Sequence, residues 1–310
     1  MHCATLLLTS AVIANDRPAA VVEGEPALHR VAAQMEHWHD SMAGALSGAI
    51  ERLDRLFGDQ RIEEEGEGTR LAVSLGVRAD DRDGAKLENR IRLRLALPNL
   101  ERRLLLIIEG DESESADQIP QALADTVREA RPLAGIRLAL APLGRARFSV
   151  DGGVRLGGDP QIVTRGRLSL VKARETWEQR LRQTVAWYSA DGWSATTEAR
   201  WTWRMGEELL FRTTSALGWK ATENGVTPSQ ALDLFRAVGT ARGHRWTARA
   251  EWPETPKCRR ALYVIEYTFR TRLYRDWLYG EATGGMDFGQ DRGYDPNPFA
   301  VLRLEIVLGN

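Results

Sequence analysis

The chain has almost no lysine. Of its 42 basic residues only Lys86, Lys172, Lys220 and Lys257 are lysine. The rest are arginine, whose planar fork suits paired contacts with carboxylates and phosphates. Cysteine is as scarce: Cys3 and Cys258 are the two present, too few for a disulfide framework. Histidine occurs only at His2, His29, His37, His39 and His244, so a histidine base beyond the N-terminal region would rest on His244 alone. That residue lies in Arg-Gly-His-Arg and is expected at a turn. No run reaches the roughly 18 consecutive apolar residues of a membrane-crossing helix, which excludes a helical membrane protein. A β-barrel passes this test, because its strands are apolar on one face only. There is no GxxxxGK[ST] or GxGxxG phosphate-binding element.

What is present divides at about residue 70. Composition alone, 43% hydrophobic and 27% charged with a net charge of -1, reads as an ordinary globular chain. Residues 4 to 14, ATLLLTSAVIA, form a short apolar run ending in small residues. Although the usual basic leader is lacking, this pattern predicts a signal peptide over 1–14, cleaved after Ala14. Residues 15–26 read as a polar linker. From Ala27 onward Leu28, Val31, Met35, Trp38, Met42, Leu46, Ile50, Leu53 and Phe57 recur at helical steps, which predicts an amphipathic helix over 27–59. Glu36, His37, His39 and Asp40 are ligand-type side chains, but positions 37 and 39 face different sides of a helix. A solvated face is expected there and no metal site. Glu63 to Glu67 make 60–69 an acidic linker.

From residue 70 the hydrophobic period changes to two. Apolar residues alternate in Leu71, Val73, Leu75 and Val77, in Ile91, Leu93 and Leu95, in Ile136, Leu138 and Leu140, and at the end in Leu302, Leu304, Ile306 and Leu308. About fourteen such segments follow one another, near 70–79, 86–97, 102–110, 133–141, 145–156, 161–172, 177–190, 192–204, 207–219, 229–239, 243–252, 260–271, 274–288 and 298–309. Those near 102, 229 and 274 alternate poorly, which leaves twelve as the alternative count. The even-numbered connections are tight, whereas long ones such as Asp111 to Pro132 are odd-numbered. An outer-membrane barrel sorts its turns and loops in this way, and its strand number is even. Nine of the ten tryptophans lie between Trp177 and Trp277, several at strand ends, where an interfacial aromatic girdle would place them.

These patterns predict an all-β protein. Residues 70–310 are expected to form a closed antiparallel transmembrane β-barrel, preceded by the helix in the periplasm of a Gram-negative cell. With the apolar faces toward lipid, the alternate residues line the lumen: Arg90, Arg92, Arg94, Arg147, Arg165, Arg167, Arg180, Arg182, Arg200, Arg212, Arg249 and Arg303, with Glu198 and Glu305 among the acids. Such a wall must be hydrated or neutralised, since burying an unpaired guanidinium costs several kcal/mol. Three arrangements meet this demand. One is an aqueous channel that concentrates anions. Another is a plug formed by Glu63–Glu67 or Asp111–Asp117, and in the third the arginines at strand ends contact lipid phosphates.

The run from Arg270 to Leu278, the segment Gly285-Met-Asp-Phe288 and the closing Leu302-Arg-Leu-Glu-Ile306 resemble a group of uncharacterised proteobacterial outer-membrane barrel proteins. Phe57-Gly-Asp59 before the acidic stretch is similar to the same group. The resemblance implies location and fold, and brings no activity with it. The chain ends Leu308-Gly309-Asn310, where such barrels usually close with an aromatic residue. The expected function is non-enzymatic: a narrow anion-preferring pore or an envelope scaffold. The alternative is a barrel-anchored interaction protein working through residues 27–57 on a periplasmic protein. Outer-membrane lipids and lipopolysaccharide are the expected surroundings; no cofactor or nucleic-acid partner is expected.

Overall fold

The computed structural model describes residues 70–308 apart from 83, 97–103, 110–132, 141–145, 157–159, 223–224 and 254–260. The expected signal peptide, linkers and amphipathic helix lie outside the described residues, as do the acidic segments proposed as plugs. What is described is almost wholly antiparallel strand: β1 (Arg70–Asp80), β2 (Gly84–Ala96), β3 (Leu104–Glu109), β4 (Leu133–Ala139), β5 (Ala146–Arg155), β6 (Gln161–Ala173), β7 (Trp177–Tyr188), β8 (Gly192–Arg204), β9 (Leu209–Lys220), β10 (Val226–Val238), β11 (Arg242–Glu251), β12 (Leu262–Tyr274), β13 (Leu278–Gly289) and β14 (Pro296–Leu308). Each strand pairs with its sequence neighbours. β1 also pairs with β14, from Leu71 opposite Leu308 to Asp80 opposite Phe299, so the strand order closes into a ring.

The three poorly alternating segments are strands all the same, and each conceals its period differently. β10 carries apolar residues on both faces: Ala231, Phe235 and Ala237 are buried on one side, Leu232 and Val238 exposed on the other. On β13 the outer positions Gly280, Ala282 and Gly284 are too small to register as hydrophobic. β3 is an unbroken apolar run, LLLIIE.

The distribution of side chains is the reverse of a water-soluble sheet protein. Leu302 is 65% exposed, Leu75 60% and Ile162 60%, whereas Arg180 is 2% exposed and Arg165 4%. Alternation sends the aliphatic residues outward and the charged ones into the ring. Apolar residues do point inward near the ends. Leu210, Phe235, Ala237 and Tyr279 cluster toward the end with the shorter turns, and Leu262, Val264, Phe299 and Val301 toward the other.

Backbones come unusually close where β4 meets β5. Gly135 of β4 lies opposite Gly153 of β5, and a Cβ on Gly153 would sit 2.5 Å from the Ala134 carbonyl oxygen and 2.7 Å from the Gly135 Cα. Both contacts are to backbone, so no rotamer change relieves them. Gly153→Val is therefore expected to destabilise the barrel by about 1–3 kcal/mol through overpacking, read as a lower urea midpoint for unfolding in detergent micelles. Gly152→Val, at a position with nothing within 4 Å of a Cβ, is expected to leave the midpoint nearly unchanged.

Candidate functional site

The inner wall gathers most of the buried charge, and cross-strand register determines which residues meet. Arg137, Asp151 and Arg165 are successive partners on β4, β5 and β6. The Asp151 carboxylate accepts from Arg137 Nε at 2.8 Å and Nη2 at 3.1 Å, and from Arg165 Nε at 2.9 Å and Nη2 at 2.7 Å. Arg167 approaches it at 3.6 Å. One carboxylate thus holds three guanidinium groups, all 3–6% exposed. Charge-assisted forked bonds of this kind fix side-chain orientation as well as supplying energy.

On β7 and β8 the register sets Arg180 directly opposite Arg200 and Arg182 opposite Glu198. Like charges facing each other across strands repel, and the acids beside them offset this: Arg200 is 3.3 Å from Glu198 and Arg180 3.8 Å from Glu178. Arg212 of β9 donates to Thr202 Oγ1 at 3.4 Å and lies 5.0 Å above the Phe235 ring. The inward phenylalanine on β10 therefore provides a cation–π surface for an arginine.

A ladder of alternating sign runs across the closing strands. Arg270 of β12 donates to Glu281 of β13 at 3.2 Å and also pairs with Glu305 of β14. Arg303 of β14 donates to Glu281 at 2.9 Å and to Glu88 of β2 at 3.0 Å. The last contact skips a strand. Gly76 of β1 stands between Arg303 and Glu88 in the register, and with no side chain there the guanidinium passes over β1 to reach β2. The seam between the ring's first and last strands is thus closed by backbone pairing and spanned by an ion pair from β14 to β2. Nearby, Arg249 binds Glu266 at 2.9 Å, while Asp287 is held by Arg292 and by Asn297 Nδ2 at 3.0 Å.

Among the described buried residues, arginine outnumbers acid on β4–β9, where Asp151, Glu178 and Glu198 are the acids. On β11–β14 the balance is more even, with Glu251, Glu266, Glu281, Asp287 and Glu305 facing Arg245, Arg249, Arg270 and Arg303. Guanidinium groups in excess over carboxylates, as on β4–β9, can hold anions.

Of the residues expected from sequence to line the interior, Arg165, Arg167, Arg180, Arg182, Arg200, Arg212, Arg249 and Glu198 are buried there, and Arg303 and Glu305 are partly buried. Arg147 shares the Asp151 face of β5 but is exposed near the strand end. The side chains of Arg90, Arg92 and Arg94 lie outside the described residues. The buried arginines point into the ring, so lipid phosphates at an outer rim do not account for them. Glu281 and Asp287 were not anticipated. The signal was available in Tyr279, Glu281, Thr283 and Asp287 at every second position, but the small outer residues of β13 gave it no contrast.

His244 requires a correction. It lies within β11 on the outer face rather than at a turn, accepting or donating at 2.7 Å to Tyr267 Oη and packed beside Trp246 and Phe269. It points away from the charged interior. Among the described residues no cluster of three or more His, Cys, Asp or Glu could hold a metal ion.

No family model matches the sequence. No curated protein matches it either. Among solved structures the fold is similar to OmpTdeltaL8, a loop L8 deletion mutant of the outer membrane protein OmpT of Vibrio cholerae, at a TM-score of 0.49 and 9% identity over 78% of this chain and 100% of that one. It is also similar to OccK11 of Pseudomonas aeruginosa, with a TM-score of 0.45 and 10% identity over 79% and 96% of the two chains. The outer membrane channel DcaP of Acinetobacter baumannii gives 0.45 and 7% over 78% and 95%.

Proposed function

We propose that this chain is a non-enzymatic barrel of the Gram-negative outer membrane whose arginine-rich interior forms a narrow, anion-preferring pore. The observation that carries the reading is the inversion of its faces: exposed leucine, isoleucine and valine outside, buried arginine inside. Aliphatic side chains exposed over so many strands would make a water-soluble sheet aggregate, but in a bilayer they are the expected surface.

The aromatic residues give the surface a height. Trp177, Trp201, Trp203 and Phe211 stack on the outer face near the turns linking β6–β7 and β8–β9, with centroids 5.3–5.8 Å apart. Trp187, Trp193 and Trp219 lie near the other end of the same strands, and Trp252, Tyr263 and Tyr294 continue that belt. At about 3.3 Å per residue and a tilt of ~40°, Trp177 and Trp187 are separated by about 25 Å along the barrel axis. That is the height of the apolar band of an outer-membrane barrel, bounded by aromatic girdles.

The excess of arginine on β4–β9 favours anions as permeants, because a positive low-dielectric wall raises their local concentration. The dense pairing of these side chains makes the passage narrow. Planar-bilayer recordings of the purified protein test the reading. A small conductance with anion preference is expected, and Arg180→Gln/Arg182→Gln is expected to lower the anion-to-cation permeability ratio severalfold. Absence of conductance, or a cation preference in the unaltered protein, would remove the pore.

A further inference from the structure

The outer face is not uniformly apolar, and among the described residues it has a polar region on β7–β10 that is organised. At mid-height on β7–β10 the outward positions include Gln183, Thr197, Thr213, Ser215 and Gln230, with Ala195 and Ala199 between them, Leu232 beside Thr213, and Ala248 and Ala250 beyond on β11. Thr197 Oγ1 donates to Gln183 Oε1 at 2.5 Å, Ser215 Oγ to Gln230 Oε1 at 2.6 Å, and Gln230 Nε2 to Thr213 Oγ1 at 2.6 Å. Several corresponding positions elsewhere on the ring carry large aliphatic residues, among them Leu75, Ile136, Leu168, Leu302 and Leu304, while those of β13 are small but apolar.

Hydrocarbon is a poor environment for this region. An amide or hydroxyl facing lipid tails is costly even when partly bonded, and the barrel's other strands show that leucine fits these sites. Inside membranes, small residues with Ser, Thr and Gln are the composition of surfaces where proteins approach closely and exchange hydrogen bonds.

We infer that the β7–β11 wall is an interface with a second copy of this chain. The inference rests on the membrane reading above. The partner's identity is argued from the chemistry of the patch, which is uncharged and carries amide and hydroxyl groups able both to donate and to accept. Such a surface is complementary to itself, as a two-fold interface requires, since the same patch faces its copy. A basic or acidic partner would call for charge here, and an acyl chain would call for leucine. The patch lies between two tryptophan belts of the same strands, which places it within the apolar band rather than at a rim.

The test is the mass of the protein particle extracted from membranes in mild detergent, measured for the unaltered chain, for Thr197→Trp/Ser215→Trp, and for Leu304→Trp on the opposite wall. Two chains per particle are expected for the unaltered protein and for Leu304→Trp. Thr197→Trp/Ser215→Trp is expected to give one, while its folded band in unheated gels still shifts on boiling. A single chain in the unaltered protein overturns the inference, as do assemblies that survive the patch substitutions or a stoichiometric different protein or lipopolysaccharide in place of the second copy. A chain that needs no detergent and shows no heat-shifted band would instead sink the membrane reading itself.

Discussion

Glu281→Leu is expected to cost the barrel about 3 kcal/mol, because removing one member of a buried ion-pair network leaves neighbouring guanidinium charge only partly compensated. Glu281 sits between two guanidinium groups, Arg270 at 3.2 Å and Arg303 at 2.9 Å, with its side chain only 8% exposed. Arg270 keeps Glu305 and Arg303 keeps Glu88, so the ladder loses its centre and retains its ends. The closing strands should then separate at a lower urea concentration than in the unaltered protein, followed as loss of the folded band in unheated gels. Glu281→Gln preserves shape and an acceptor and should fall between the two. Equal stability of Glu281→Leu and the unaltered chain would show that the seam is held by backbone pairing alone.

Leu302→Arg is the second large effect. Leu302 lies midway along β14, outward and 65% exposed. On a surface wetted by water this change would be nearly neutral. At the midplane of a bilayer it should cost about 2–4 kcal/mol, lowering the yield of folded barrel in lipid vesicles and the unfolding midpoint alike. Because Arg303 next to it is inward and paired, the contrast between neighbouring positions is unusually sharp: arginine is accommodated at 303 and is expected to be penalised at 302. Vesicle refolding with acceptor lipids of equal thickness measures the difference, and no penalty at 302 would contradict a lipid-facing β14.

The architecture was legible where alternation was clean. In β14 the residues Leu302, Leu304 and Ile306 against Arg303 and Glu305 give both faces and direction, and the observed strand spans 296–308. It was less legible where both faces share a character, as in β10, whose Phe235 turns inward to meet Arg212, and in β13, whose outer glycines mask the polar face. Pairing partners were not legible. Glu88 and Arg303 are remote in sequence, and their contact depends on the registers of β1 with both neighbours and on the missing side chain at Gly76. His244 was misplaced because Arg-Gly-His-Arg has the composition of a turn, although the turn lies just before it at Gly239–Ala241. The outward patch of Gln183, Thr197, Ser215 and Gln230 went unnoticed, since single polar residues at apolar positions look like noise until the register lines them up.

Tryptophan fluorescence in bilayers containing brominated acyl chains asks most directly whether the greasy outer surface touches lipid. Bromines near the headgroup end of the chain should quench the barrel tryptophans strongly and those near the methyl end weakly, because the indoles of the described residues form two belts about 25 Å apart and leave the centre to leucine, threonine and alanine. Emission unchanged by bromine at either depth would mean that these side chains are buried against protein or bathed in water, and the transmembrane barrel would have to be abandoned.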